Sequence, residues 1–95
     1  MPNYKQSPHI QVIPLDDNES VLYDEKSGDM HYINTISRII FSLFERPQTK
    51  EKVVHQLINM FEGEAEQIEK EASEMIDTLY AKRILVDDSE NRNAN

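Results

Sequence analysis

The feature that most constrains this chain is a change of hydrophobic period at Ile33-Asn34. Upstream, short apolar runs punctuated by polar turns follow the two-residue period of strands; downstream, apolar residues recur at the three-and-four spacing of buried helix faces. Strands therefore come first and helices second, which predicts an α+β domain with the two classes segregated along the chain. Ninety-five residues hold one such domain and little more.

Ile10, Val12 and Leu15 mark a first strand, and Pro14 confines it to a sheet edge or a strand end, because proline donates no ladder hydrogen bond. After the polar turn Asp16-Asp17-Asn18-Glu19 come two further strands, Val21-Leu22-Tyr23 and Met30-His31-Tyr32-Ile33. The pair Ser27-Gly28 supplies hairpin chemistry between them. Asn34 is then a natural N-cap for a first helix that buries Ile36, Ile39, Ile40, Leu43 and Phe44 and stops before Pro47. Thr49 caps a second helix with the stripe Val53, Val54, Leu57, Ile58 and Phe61, ended by Gly63. A third helix carries Ala65, Ile68, Ala72, Met75, Ile76, Leu79 and Tyr80 and runs to Lys82, followed by a short closing extension, Ile84-Leu85-Val86. The domain is expected over residues 8–86, with residues 1–7 and 87–95 as polar, frayed tails.

Composition removes most chemistry. The absence of cysteine excludes disulfides, thiolate metal sites and a cysteine nucleophile, and it fits a reducing cytoplasm. No apolar run approaches a membrane span, and the first residues lack the apolar core of a secretory signal. Eighteen acidic residues against ten basic ones give a net charge of −8, which argues against binding a phosphate backbone. His9, His31 and His55 fall on separate predicted elements without metal-ligand spacing, and His31 reads as a structural strand residue. With no nucleophile-elbow context and only Gly28 and Gly63 as glycines, neither a catalytic serine nor a phosphate loop is expected. The chain is therefore read as having no cofactor, no metal and no catalysis of its own.

The segment Glu62 to Asp77 holds seven carboxylates against Lys70 alone. A helical projection places Glu66, Glu71, Glu74 and Asp77 on a polar arc, where water keeps them ionised and untuned; Glu69 alone borders the apolar stripe, beside Ile76 and Tyr80. Met60 and Met75 read as core filler. The strand Met30 to Ile33 is different. It contains no proline, glycine or fixed charge, and alternation requires either Met30 and Tyr32 or His31 and Ile33 to face away from the core. An unprotected edge of this kind is an aggregation hazard or a dock for an extended peptide, and the third helix laid beside it would make the second wall of a groove.

The run Asp24-Glu25-Lys26-Ser27-Gly28, then Ile33-Asn34 and an isoleucine-rich helix, opens a longer pattern. A Thr49-capped helix ending in Phe61 follows, and then an acidic helix closing in Ala81-Lys82-Arg83-Ile84-Leu85-Val86. In combination these resemble the PqqD-like family, also called RiPP recognition elements, from about Ile10 to Val86. The resemblance implies a winged-helix-like fold, a three-stranded antiparallel sheet followed by a three-helix bundle. It also implies a non-catalytic adaptor that takes up the leader of a ribosomally synthesised precursor peptide by strand addition. The partner would be a peptide-modifying enzyme, either a radical enzyme or a leader peptidase with a cyclase. Carried onto this chain, the edge is Asp29, Met30, His31, Tyr32 and Ile33, and the helix wall is Glu69, Ala72, Ser73, Ile76 and Tyr80. The opposite flank, with Ile68, Glu71 and Met75, is the alternative. On the chosen flank, Ile76→Asp should weaken leader binding strongly and Glu74→Ala hardly at all. Two other readings share the topology: a winged-helix nucleic-acid binder, opposed by the −6 net charge of residues 62–77, and a structural module whose edge strand pairs with itself in a homodimer.

Overall fold

The computed structural model describes residues 3–88. In chain order these form β1 (Asn3–Gln6), β2 (Ile10–Pro14), β3 (Glu19–Asp24), β4 (Met30–Asn34), α1 (Thr35–Leu43), β5 (Gln48–Thr49), α2 (Lys50–Met60), α3 (Ala65–Ala81) and β6 (Leu85–Asp87). The turn from sheet to helix occurs where the period changes. Asn34 ends β4 in extended conformation, and its side-chain oxygen accepts from the Ser37 backbone N–H at 2.9 Å, capping α1. Thr49 does the same for α2, with its hydroxyl accepting from Lys52 N–H at 3.1 Å.

The expected α+β architecture is present, with more sheet than the sequence announces. β2, β3 and β4 make the antiparallel meander, in that spatial order. A second antiparallel sheet, β5-β1-β6, is assembled from segments read as tail, loop and closing extension. Residues 3–6 are thus a central strand and not part of a frayed N-terminus. Their polar sequence hides this, because the order comes from partners distant in sequence. Gln6 N–H donates to the Phe44 carbonyl at 3.1 Å, its side chain donates to the Phe41 carbonyl at 2.9 Å, and the Tyr4 ring lies 6.3 Å from that of Phe44. Of the expected C-terminal tail, Asp87 belongs to β6 and Asp88 pairs with Lys5 at 3.5 Å. Residues 89–95, like Met1 and Pro2, lie outside the described residues.

α3 ends in a Schellman turn: Ile84 N–H donates to Leu79 C=O at 2.9 Å and Arg83 N–H to Tyr80 C=O at 3.0 Å. Arg83 takes the left-handed conformation (φ 63°) that usually falls to glycine, and the reversal buries Ile84 and Leu85. They join one core with Leu22 and Ile33 from the meander, Ile40 from α1 and Phe44 at its C-cap, Val53 and Leu57 from α2, and Ile76 and Leu79 from α3. The helical stripes largely face as the periodicity predicts, but Ile36, Tyr80 and Met60, the last residue of α2, are exposed. Among the described residues, no helix is long and apolar enough to cross a membrane.

Candidate functional site

Hydrogen bonds at the ends of the meander fix which backbone groups face its open sides. Leu15 N–H donates to Glu19 C=O at 3.0 Å and Glu25 N–H to His9 C=O at 2.9 Å, so the odd-numbered residues of β3 bond toward β2. Asp24 N–H donates to Asp29 C=O at 2.9 Å, so the even-numbered ones bond toward β4. His31 and Ile33, opposite Leu22 and Ser20, therefore direct their N–H and C=O groups to β3. Met30 and Tyr32 direct theirs outward, where no strand pairs with β4 among the described residues. The opposite edge is less open: on β2, Pro14 lacks an N–H on the outer side and the Ile10 N–H is taken by Ser7 C=O at 3.3 Å.

The alternation left open by the sequence is resolved by burial. Ile33 is buried and His31 half-buried on the helix side, whereas Met30 (55% exposed) and Tyr32 (72%) stand on the other face. Tyr32 lies opposite Val21, which is itself opposite Ile13, so an apolar row crosses the outer face of the meander. Asp29 precedes β4 and belongs to the hairpin turn.

Asp24 sets that turn. Its Oδ1 accepts from Lys26 N–H at 2.9 Å and Ser27 N–H at 3.3 Å, while Gly28 adopts φ 84°. Desolvation pushes the Asp24 carboxyl up, but the hydrogen bonds from Lys26 and Ser27, together with the charge of His9, outweigh it and hold the group below its ordinary value. The register of β4 thus begins from a turn stabilised by an ionised side chain.

At the Asn34 end of β4 a groove of about 680 Å³ opens between α1 and α3. Buried Ile40, Leu57 and Ala72 make its floor, Ile36, Phe61, Ile68 and Met75 its apolar sides, and Asn34, Glu71, Glu74 and Thr78 its polar rim. Ser37 Oγ donates to Met75 Sδ at 3.0 Å, and Gln67 Nε2 to Glu71 Oε2 at 3.1 Å. The ion pairs of the described residues are Lys5 with Asp88 and Lys50 with Asp77, and neither involves Glu71 or Glu74.

Of the five helix residues expected to wall a groove beside β4, the structure brings only Ala72 to it. Ile76 is fully buried in the core. Glu69 and Ser73 line a smaller cleft against α2, with Lys50, Val54 and His55. Tyr80 packs on Tyr4 with ring centroids 4.9 Å apart; burial, then the nearby Tyr80, raises the Tyr4 hydroxyl pKa, with Lys50 opposing. The physical reason is what packs against α3. Tyr4 of β1 covers Tyr80, and α2 covers Glu69 and Ser73, leaving the flank with Ile68, Glu71 and Met75 to face the groove beside α1 and Asn34. Glu71 and Glu74, expected on a solvent arc, consequently border the groove, and Glu74 cannot be treated as a remote control position. Ile36 and Phe61 also belong to the groove although their stripe positions read as core. Among the described residues no cluster of histidine and carboxylate side chains could hold a metal ion.

Three comparisons bear on this geometry. The family model described as Coenzyme PQQ synthesis protein D (PqqD) matches residues 19–85, which include β3, β4 and all three helices. The structure of TbiB1 in complex with the TbiA(beta) leader peptide superposes with a TM-score of 0.70 at 21% identity, covering 85% of this chain and 93% of that one. Lasso peptide synthetase B1 complexed with the leader peptide gives a TM-score of 0.68 at 20% identity, covering 87% and 96%. At these identities the likeness to both is one of fold. No curated protein matches the chain by sequence.

Proposed function

The chain belongs to the PqqD family, and from that premise we propose that it is a non-catalytic adaptor that binds the leader segment of a ribosomally synthesised precursor peptide along β4. The observation that carries this reading is the outward-facing backbone of Met30 and Tyr32, on an unblocked edge that runs into an apolar groove. Two structures of the same fold hold leader peptides, which supports the same use of the fold here.

Backbone pairing through the outward N–H and C=O groups of Met30 and Tyr32 tolerates many leader sequences, each hydrogen bond contributing about 1 kcal/mol net. Selectivity then comes from the groove, through Ile36, Phe61, Ile68, Ala72 and Met75. An unstructured leader must be ordered as it binds, which lowers affinity relative to the area covered. Holding it beside a modifying enzyme raises the local concentration of the peptide core at that enzyme's active site. The partner is a radical enzyme, or a leader peptidase acting with a cyclase. Self-pairing of β4 in a homodimer would use the same edge and compete with the leader. The carboxylates around the groove oppose a nucleic-acid phosphate backbone.

Titration of the leader peptide into isotopically labelled protein tests this. Amides of residues 30–34 and of the α3 flank bearing Ile68, Glu71 and Met75 should shift. Shifts confined to β2, or to the cleft of Glu69 and Ser73, would contradict the assignment.

A further inference from the structure

The groove also reports the chemistry of its occupant: we propose that it selects a leader segment with a lysine or arginine near an apolar anchor residue, through the carboxylates of Glu71 and Glu74. This rests on the strand-addition reading and adds to it a rule for the substrate.

A strand added to β4 alternates its side chains between the two faces of the sheet. Those on one face flank Met30 and Tyr32; those on the other follow His31 and Ile33 toward the helices and, past Asn34, over the groove. The interior there is apolar, so an apolar side chain is the anchor. The α3 rim is not. Glu71 and Glu74 are three residues apart on one helix face and are the charged residues lining the groove; no cation comes from α1 or α2. Neither takes part in an ion pair of the described residues, and the Glu71 carboxylate accepts from the neutral side-chain amide of Gln67.

In the free protein water solvates these two carboxylates. A peptide laid across the groove strips part of that water, which is unfavourable unless the incoming chain replaces it with a charge of opposite sign. A lysine or arginine does so; an aspartate or glutamate in its place adds repulsion, giving discrimination in both directions. The surrounding field has the same sense, since residues 62–77 carry −6 of the chain's net −8. It steers a cationic segment toward α3 over distances of about one Debye length, ~8 Å at physiological salt.

The test is a display library of random dodecapeptides selected against the protein and, in parallel, against the Glu71→Gln/Glu74→Gln variant. These exposed positions tolerate the isosteric change, which circular dichroism confirms. Peptides selected on the wild type should combine an apolar residue with a lysine or arginine at an alternate position. Selection on the variant should keep the apolar residue and lose the basic one. Replacing the basic residue of a selected peptide by norleucine should lower affinity for the wild type about tenfold and leave affinity for the variant unchanged. Peptides that shift the Met30 and Tyr32 amides but carry no basic preference, or keep it against the variant, would overturn the charge rule while leaving strand addition intact. Selected peptides that leave those amides unshifted would overturn both.

Discussion

Ser37 Oγ donates a hydrogen bond to Met75 Sδ at 3.0 Å, tying α1 to α3 at the side of the groove. Methionine has several accessible rotamers, and this contact holds one of them against the cavity. Ser37→Ala removes a donor without stranding another polar group, so stability should change by less than about 1 kcal/mol. Leader affinity should nevertheless fall severalfold, because a freed Met75 side chain fills the groove it otherwise lines. Paired chemical denaturation and calorimetry separate the two effects, and equal losses in both would contradict this role.

The direction of the β4 backbone predicts opposite outcomes for neighbouring proline substitutions. His31 donates to β3, so His31→Pro breaks a ladder bond and should cost about 1–3 kcal/mol. Tyr32 faces its N–H outward, so Tyr32→Pro should leave the meander paired with a smaller loss of stability, yet weaken leader binding beyond the effect of Tyr32→Ala. Thermal melts and binding isotherms of the three variants check the order.

Mutations in the groove and on the Tyr80 flank of α3 should divide stability from binding. Ile36 is 44% exposed at the groove, and Ile36→Ser should cost about 1 kcal/mol of stability while weakening the leader about tenfold. Tyr80→Ala breaks the aromatic contact with Tyr4, worth about 1 kcal/mol beyond burial, and should leave leader affinity unchanged. Ile76→Asp is unsuited to reading the groove. A carboxylate at a fully buried position is expected to unfold the domain, whatever binds outside it.

The Asp24 turn makes hairpin stability depend on pH with a defined sign. The folded-state pKa is lowered from 3.8, so the contribution of the ionised carboxyl is complete above that value and is lost as pH falls through the lower folded-state value. Wild type should exceed Asp24→Asn in stability near neutral pH, and the difference should close in acid. A difference that widens as pH falls would refute the role of the charge.

Local signals were legible and long-range ones were not. Asn34 and Thr49 advertise helix starts because each cap satisfies a backbone N–H three residues away, a relation contained within one turn. The isoleucine and leucine stripes, the Ser27-Gly28 turn and the unprotected composition of Met30 to Ile33 are equally local. β1 has no such signal: Asn3, Lys5 and Gln6 are polar, and the strand exists because β5 and β6 arrive on either side of it. The side of α3 left open was not legible either, since a helical projection shows which α3 residues are apolar but not which side α2 and Tyr4 will cover. Tyr80 looked available because its partner Tyr4 was hidden in an apparent tail.

Hydrogen exchange at single-residue resolution tests strand addition to β4 most directly. With leader peptide bound, the Met30 and Tyr32 amides should gain protection while His31 and Ile33, already bonded to β3, change little. Unchanged exchange at Met30 and Tyr32 under saturating leader, or protection gained instead at Val12 on the β2 edge, would contradict it.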